Sequence, residues 1–166
     1  MNPPAVLLLP PAEGVRFDGT PLALPAGLAC AATLVVVTFR DDAAPLSGQW
    51  ARLGERLAAV HAGLGVLELT VLPPRLRLLG DLPILTAKTR AAAAGVAART
   101  AVVYAKRKPF RRALAIDGDD SATALLVAPD GAVSWRGDGA IDLYDVEALE
   151  PAVRALLERD GPAGAD

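Results

Sequence analysis

Residues 33–72 constrain the fold more than any other stretch. "TLVVVTF" (33–39) is almost wholly apolar and β-branched, the texture of a central strand buried on both faces. After it, Leu46, Trp50, Leu53, Leu57, Val60 and Leu64 are spaced 4, 3, 4, 3 and 4 apart, one apolar stripe at helical period. Gly63 and Gly65 are expected to end that helix, with His61 in its last turn, where a cation complements the helix dipole. "VLELTVL" (66–72) then alternates Val66, Glu68 and Thr70 against Leu67, Leu69 and Val71, and Pro73 and Pro74 stop it. Strand, helix, strand makes a βαβ unit with parallel strands and a right-handed crossover.

Other elements hang on this unit. "VRFDGTPLALPAG" predicts a short hairpin, with Val15 and Phe17 before an Asp18-Gly19 turn and Leu22 and Leu24 after it. Residues 84–99 are alanine-rich and helix-forming, weakened at Gly95, and 101–104 form a short strand. "KRKPFRRALAI" reads as a basic helix with Pro109 in its first turn and Phe110 and Leu114 on its apolar face. "TALLVAPDGAVSWRG" predicts a second hairpin around Pro129-Asp130-Gly131. The last helix is expected to start at Asp142 with Asp145 three residues on. Its stripe would be Val146, Leu149, Val153, Leu156 and Leu157, with a kink or restart at Pro151.

A chain of 166 residues favours one domain with a full core. Its longest apolar run near a strand is about seven residues, far short of the roughly 20 that a membrane span needs. The start, "MNPPAVLLLPPAEG", lacks the charged region of a signal peptide, so a cytoplasmic location is expected. Abundant alanine and arginine with scarce lysine suggest a GC-rich bacterial genome. The single cysteine, Cys30, excludes an intrachain disulfide and a thiolate metal cluster, and the single histidine, His61, excludes paired-histidine metal sites. No metal and no cofactor is expected. Charge is segregated: residues 75–112 hold ten basic residues against Asp81 alone, and residues 113–166 hold twelve acids against three arginines. Either the two parts face each other in the fold or the basic part meets an anionic partner.

The order of elements resembles the thioredoxin-like fold, in particular its peroxiredoxin-like branch, over roughly residues 15–158. "FDGTPLALPAG" is similar to the turn segment that opens peroxiredoxin-like domains. "TLVVVTFRDDAAPLSGQW" is similar to their first core strand and the start of the active-site helix, and "ALLVAPDGAVSWRGDGA" to their late hairpin. With "RRALAI" upstream and a Trp after the turn, the chain also resembles the thioredoxin-like assembly-factor family of mitochondrial ATP synthase, which keeps the fold without a redox cysteine pair. The resemblance implies an α/β fold: a central mixed sheet with flanking helices, an N-terminal β-hairpin and a late antiparallel hairpin. It divides the chain into an extension (1–14), a thioredoxin-like domain (15–159) and a frayed tail (160–166).

The same resemblance shows what is missing. Thiol chemistry in this fold needs a Cys-x-x-Cys pair where the strand runs into the helix. There the helix N-terminus lowers the first thiol's pKa and the second thiol resolves the mixed disulfide. A peroxiredoxin needs a cysteine in the same turn. Residues 41–48 are Asp-Asp-Ala-Ala-Pro-Leu-Ser-Gly. Ala122 and Thr123 stand where thioredoxins carry a cis-proline. Asp41, Asp42, Pro45 and Ser47 therefore mark a degenerate active-site corner, with the two aspartates read as helix caps or loop-turning residues, or as a weak cation site. Ser47 lacks a base, since His61 lies fourteen residues along the helix, roughly 20 Å by helical rise.

Elsewhere, Cys30 in "GLACAAT" reads as a small buried hydrophobe or, alternatively, as a peroxidase thiol. Asp117, Asp119 and Asp120 lack the spacing of a calcium loop and read as a solvated turn. Lys106, Arg107, Lys108, Arg111 and Arg112 form a basic patch flanked by Tyr104 and Phe110, which are able to stack bases if they are exposed. Three functional readings follow. The chain is a non-catalytic thioredoxin-like domain that binds an acidic protein partner or itself in a chaperone or assembly role. It is a thiol-dependent peroxidase or oxidoreductase using Cys30. Or it binds nucleic acid through residues 104–112.

Overall fold

The computed structural model describes residues 6–160. Its strands are β1 (Ala12–Arg16), β2 (Pro21–Leu24), β3 (Ala32–Thr38), β4 (Leu64–Leu72), β5 (Thr100–Tyr104), β6 (Thr123–Val127) and β7 (Val133–Asp138). Its helices are α1 (Ala44–Ala58), α2 (Leu85–Ala93), α3 (Arg107–Ala113) and α4 (Leu143–Asp160). The strands form one mixed sheet in the order β2-β1-β5-β4-β3-β6-β7. The β3, β4 and β5 neighbours run parallel, while β1 and β6 lie antiparallel against β5 and β3. Both expected hairpins are present, β1–β2 and β6–β7.

Alternation along β3 explains its composition. Val35 and Val37 enter one core with Leu67, Leu69, Val103, Leu125 and Phe110, and Leu34 and Val36 enter another with Trp50, Leu126, Leu149 and Val153. Helices α1 and α4 close the second face. Helix α1 lies so near the sheet that a Cβ on Gly54 would come within 2.8 Å of Val66 and 2.9 Å of Leu34, so that glycine sets the helix–sheet spacing. A third cluster, Phe17, Ile84, Ala91 and Val102, seats α2 at the β1–β5 end of the sheet.

Several expectations are corrected. Helix α1 ends at Ala58, so the stripe runs out early: Val60 is exposed and Leu64 is the first residue of β4. His61 thus lies beyond the helix, and its Nε2 is 3.0 Å from Oε1 of Glu150 on α4. That contact is the first cause holding the Glu150 carboxyl below its usual range. The alanine-rich segment is not one helix: α2 is flanked by 3-10 turns at Leu82–Ile84 and Ala97–Arg99, with Gly95 in the left-handed region between. Helix α4 runs unbroken through Pro151, which faces solvent, so the carbonyl deprived of an amide partner stays open to water. The start of α4 is as expected, because Asp142 and Asp145 exchange backbone-to-carboxylate bonds of 3.0 and 2.8 Å. Val146 leaves the stripe and is exposed, while Leu149, Val153 and Leu156 are buried. Residues 161–166 of the expected tail lie outside the described residues.

Residues ahead of β1 also pack. Leu9 is buried, its N–H donates to the Gly131 carbonyl at 2.8 Å, the Val133 N–H donates to Leu7 O at 2.9 Å, and Leu8 bridges Ala132. The segment thereby touches the turn of the β6–β7 hairpin before entering β1.

At the other end of that hairpin, Arg136 grips Asp138 through both carboxylate oxygens, at 2.8 and 2.9 Å, and donates to Leu114 O at 2.6 Å. The Arg136 fork, helped by the Thr123 hydroxyl, holds the Asp138 carboxyl below its usual range against the opposing effect of burial. A depressed carboxyl contributes stability above its unfolded pKa and loses it as pH falls through the folded value. Asp138→Asn is therefore expected to be less stable than the parent at pH 7. The gap should close below about pH 4, where an unfolded aspartate protonates. Urea melts at pH 7 and pH 3 measure it, and an unchanged gap would sink the assignment.

Candidate functional site

Strand β3 delivers the chain to the corner through buried Phe39 and exposed Arg40. A 3-10 turn, Asp41–Ala43, leads into α1, which begins at Ala44 with Pro45 in its first turn. Neither aspartate caps through its side chain, which corrects the expected capping role. Asp42 pairs with Arg40 at 3.3 Å, both side chains more than half exposed, a contact worth little in water. Asp41 turns instead into a cleft beside the corner.

The first residue of α1 and the residue three on, Ala44 and Ser47, share one face of one turn, with Pro45 between. A Cys-x-x-Cys pair at a helix start would occupy this spacing. Here it holds a methyl group and a hydroxyl. Ser47 is buried and its Oγ donates to Oε1 of Glu68 at 3.0 Å. Glu68 sits mid-β4, in register with Val36 and Thr100. Its other oxygen faces Nε of Arg99 at 3.7 Å, and Nη1 of Arg99 reaches Oε1 of Glu55 at 2.6 Å. This chain of polar groups ties α1 to β4 and to the turn before β5 at two points, Ser47 and Glu55. The hydroxyl is thus committed to a carboxylate, and the one imidazole is bound to Glu150 instead. Sequence reading missed Glu68 as Ser47's partner, and the signal was there: it is the charged residue of "VLELTVL".

The cleft has two adjoining lobes, of about 400 and 310 Å³, that share Phe17, Arg40, Asp41, Thr70 and Ala87. It lies along the C-terminal ends of β3 and β4, and Leu76, Pro83, Ile84 and Ala91 line it from the segment between β4 and β5. Arg52 and Arg90 line the smaller lobe and form no ion pair among the described residues. No three His, Cys, Asp or Glu side chains converge as a metal site among the described residues.

Cys30 occupies a half-buried bend before β3, where a Cβ on Gly65 would approach its Sγ to 2.7 Å. It is separated from the corner by the length of β3, roughly 20 Å at 3.3 Å per residue. The basic run divides. Arg107 turns inward, donating to Phe39 O at 2.9 Å with Asp119 at 3.8 Å, and Arg111 reaches Asp117 O at 3.4 Å. Lys106, Lys108 and Arg112 are exposed and make no ion pair among the described residues. Phe110 is buried edge-on against Phe39 at 6.2 Å, so it has no free face for a base, and Tyr104 lies under the Arg77 guanidinium at 5.9 Å. Among the described residues, the basic part meets the acidic part in one ion pair, Arg107 with Asp119, and through the bond from Arg111 to the Asp117 carbonyl. On α4, Glu150 pairs instead with His61 and Arg154.

No protein-family model and no curated protein matches the chain. Among solved structures it is similar to BsSco, of the Sco family of cytochrome c oxidase assembly proteins, with a TM-score of 0.63 at 15% identity over 95% of this chain and 98% of that one. It is similar to a thioredoxin-family thiol:disulfide interchange protein from Chlorobium tepidum, with a TM-score of 0.56 at 19% identity over 94% and 99% of the two chains. It is also similar to the thioredoxin domain of a thiol-disulfide oxidoreductase from Bacteroides vulgatus, with a TM-score of 0.62 at 13% identity over 92% and 98%. At such identities the likeness shows the fold, which is thioredoxin-like, and carries no chemistry with it. These neighbours do not single out a peroxiredoxin-like branch. No helix among the described residues is long and apolar enough to cross a membrane.

Proposed function

We propose that this chain is a cytoplasmic thioredoxin-like domain that works by binding a protein partner, in a chaperone or assembly role, and not by thiol exchange. One observation carries the reading: the helix-start pair is Ala44 and Ser47, with the buried Ser47 hydroxyl held by half-buried Glu68, while the only cysteine lies at the far end of β3. The two-lobed cleft supports it by offering a binding surface at the same corner. The neighbour described as a cytochrome c oxidase assembly protein gives an assembly role a counterpart on this fold.

The test is a pair of turnover assays, insulin disulfide reduction and hydrogen peroxide consumption, on the parent and on Cys30→Ser. Both proteins are expected to match the buffer blank. Turnover by the parent that disappears in Cys30→Ser would establish the peroxidase reading in its place.

A further inference from the structure

The two lobes of the cleft differ in charge. The larger is balanced, with Arg40 and Arg107 against Asp41 and Asp119. The smaller is lined by Arg40, Arg52, Arg90 and Arg99 against Asp41 and Glu68. Pairing accounts for two of these arginines: Arg40 is held by Asp42, and Arg99 lies between Glu55 and Glu68. Arg52 and Arg90 have no such partner among the described residues, and neither borders the larger lobe. The hollow on the other side of Arg52 contributes Arg56 and no acid. Asp41, the one carboxylate of the smaller lobe without an ion pair among the described residues, stands in the wall that both lobes share. Phe17, Leu69, Ala87, Ala91 and Val96 give the smaller lobe an apolar lining. Apolar walls with a few charged groups are the make-up of small-ligand sites, and a volume of about 310 Å³ falls within their range.

Gly48 adds an independent observation. A glycine inside a helix costs stability relative to alanine. At Gly54 close packing on the sheet demands it, but a Cβ on Gly48 would meet only Nη1 of Arg52, at 3.7 Å. The space that the missing side chain leaves open belongs to the smaller lobe, which Gly48 lines. The same distance sets the Arg52 guanidinium beside that opening.

We propose that the smaller lobe binds a small organic acid: a carboxylate held between Arg52 and Arg90, on an apolar body that lies against Phe17, Ala87, Ala91 and Val96. Guanidinium groups suit the carboxylate because their donors match its two oxygens. The site goes beyond the partner reading, does not rest on it, and leaves the larger lobe open.

Titration with phenylbutyrate, followed by the backbone amide signals in NMR, tests it. The amides of Gly48, Ala87 and Ala94 should shift saturably, with a dissociation constant of about 1 mM or tighter. Phenylbutanamide, which lacks the charge, and inorganic phosphate, which lacks the apolar body, should each bind at least tenfold more weakly. Arg52→Gln and Arg90→Gln, both at exposed positions, should each weaken phenylbutyrate about tenfold and keep the parent's circular dichroism. Gly48→Leu fills the lobe with a good helix former, so it should melt no lower than the parent and lose the binding. The proposal is overturned if phenylbutyrate gives no saturable shift, or binds no tighter than its amide or than phosphate. It is overturned equally if both arginine variants bind like the parent, or if a folded Gly48→Leu keeps the parent's affinity.

Discussion

Trp50→Ala is expected to lower the unfolding free energy by about 5 kcal/mol: roughly 3–5 for the cavity left by a buried aromatic side chain, and more for the stranded carbonyl of Gly139. Trp50 is fully buried, packs edge-to-face on Trp135 at a 5.8 Å ring separation, and donates its indole N–H to Gly139 O at 2.8 Å. A Cβ on Gly137 would stand 2.6 Å from its ring, so the backbone of β7 is closed onto it. Domains of this size are stable by about 5–15 kcal/mol, so the substitution removes a large share of the total. At about 2–4 °C per kcal/mol, the melting temperature should drop by roughly 10–20 °C. Trp50→Phe should lose about half as much, since the ring stays and the hydrogen bond goes. Urea titrations followed by Trp135 fluorescence measure both, and a loss below about 1 kcal/mol in Trp50→Ala would show that the two helices do not share this core.

The second large effect is a gain. The double substitution Ala44→Cys with Ser47→Cys should create a disulfide at the start of α1. The two positions lie on one face of the first turn, and the helix N-terminus favours a thiolate at the first. After oxidation, a thiol count on unfolded protein should return one group per chain, Cys30, against three after reduction. The reduced double variant should reduce insulin where the parent does not, and Ala44→Cys alone should not turn over, having no resolving partner. A count of three after oxidation would mean that the side chains do not converge, and the corner would then not be a displaced thiol site at all.

The βαβ unit and both hairpins were legible because strong local patterns wrote them: the β-branched run 33–39, the turn Asp18-Gly19 and the turn Pro129-Asp130-Gly131. The misplaced end of α1 had a local cause too. Leu64 falls on the helical period by coincidence and is claimed by β4, where it pairs with Ala32, leaving Val60 exposed in the connecting turn. What sequence left hidden is mostly contact at long range. His61 meets Glu150 across 89 residues and Ser47 meets Glu68 across 21, and neither partner is marked by spacing. The fate of the basic run had the same obstacle. Five cations in seven residues look alike in a sequence, and only the packing of α3 sends Arg107 inward beneath Phe39 and leaves Lys106, Lys108 and Arg112 outside.

The contact between residues 7–9 and the turn at 131–133 bears on how the molecule opens and closes. It ties the segment just ahead of the first hairpin to the turn of the second, more than 120 residues further along the sequence, and not through the middle of the sheet. Amides of the two hairpins should therefore exchange with deuterium as one cooperative unit, with similar opening energies, instead of fraying separately from either edge. Closing that contact requires a loop nearly as long as the domain. Such a topology raises contact order and places the chain among slower folders of its length. Residues 7–9 are thus expected to be secured late in folding, after the sheet between the two hairpins has formed.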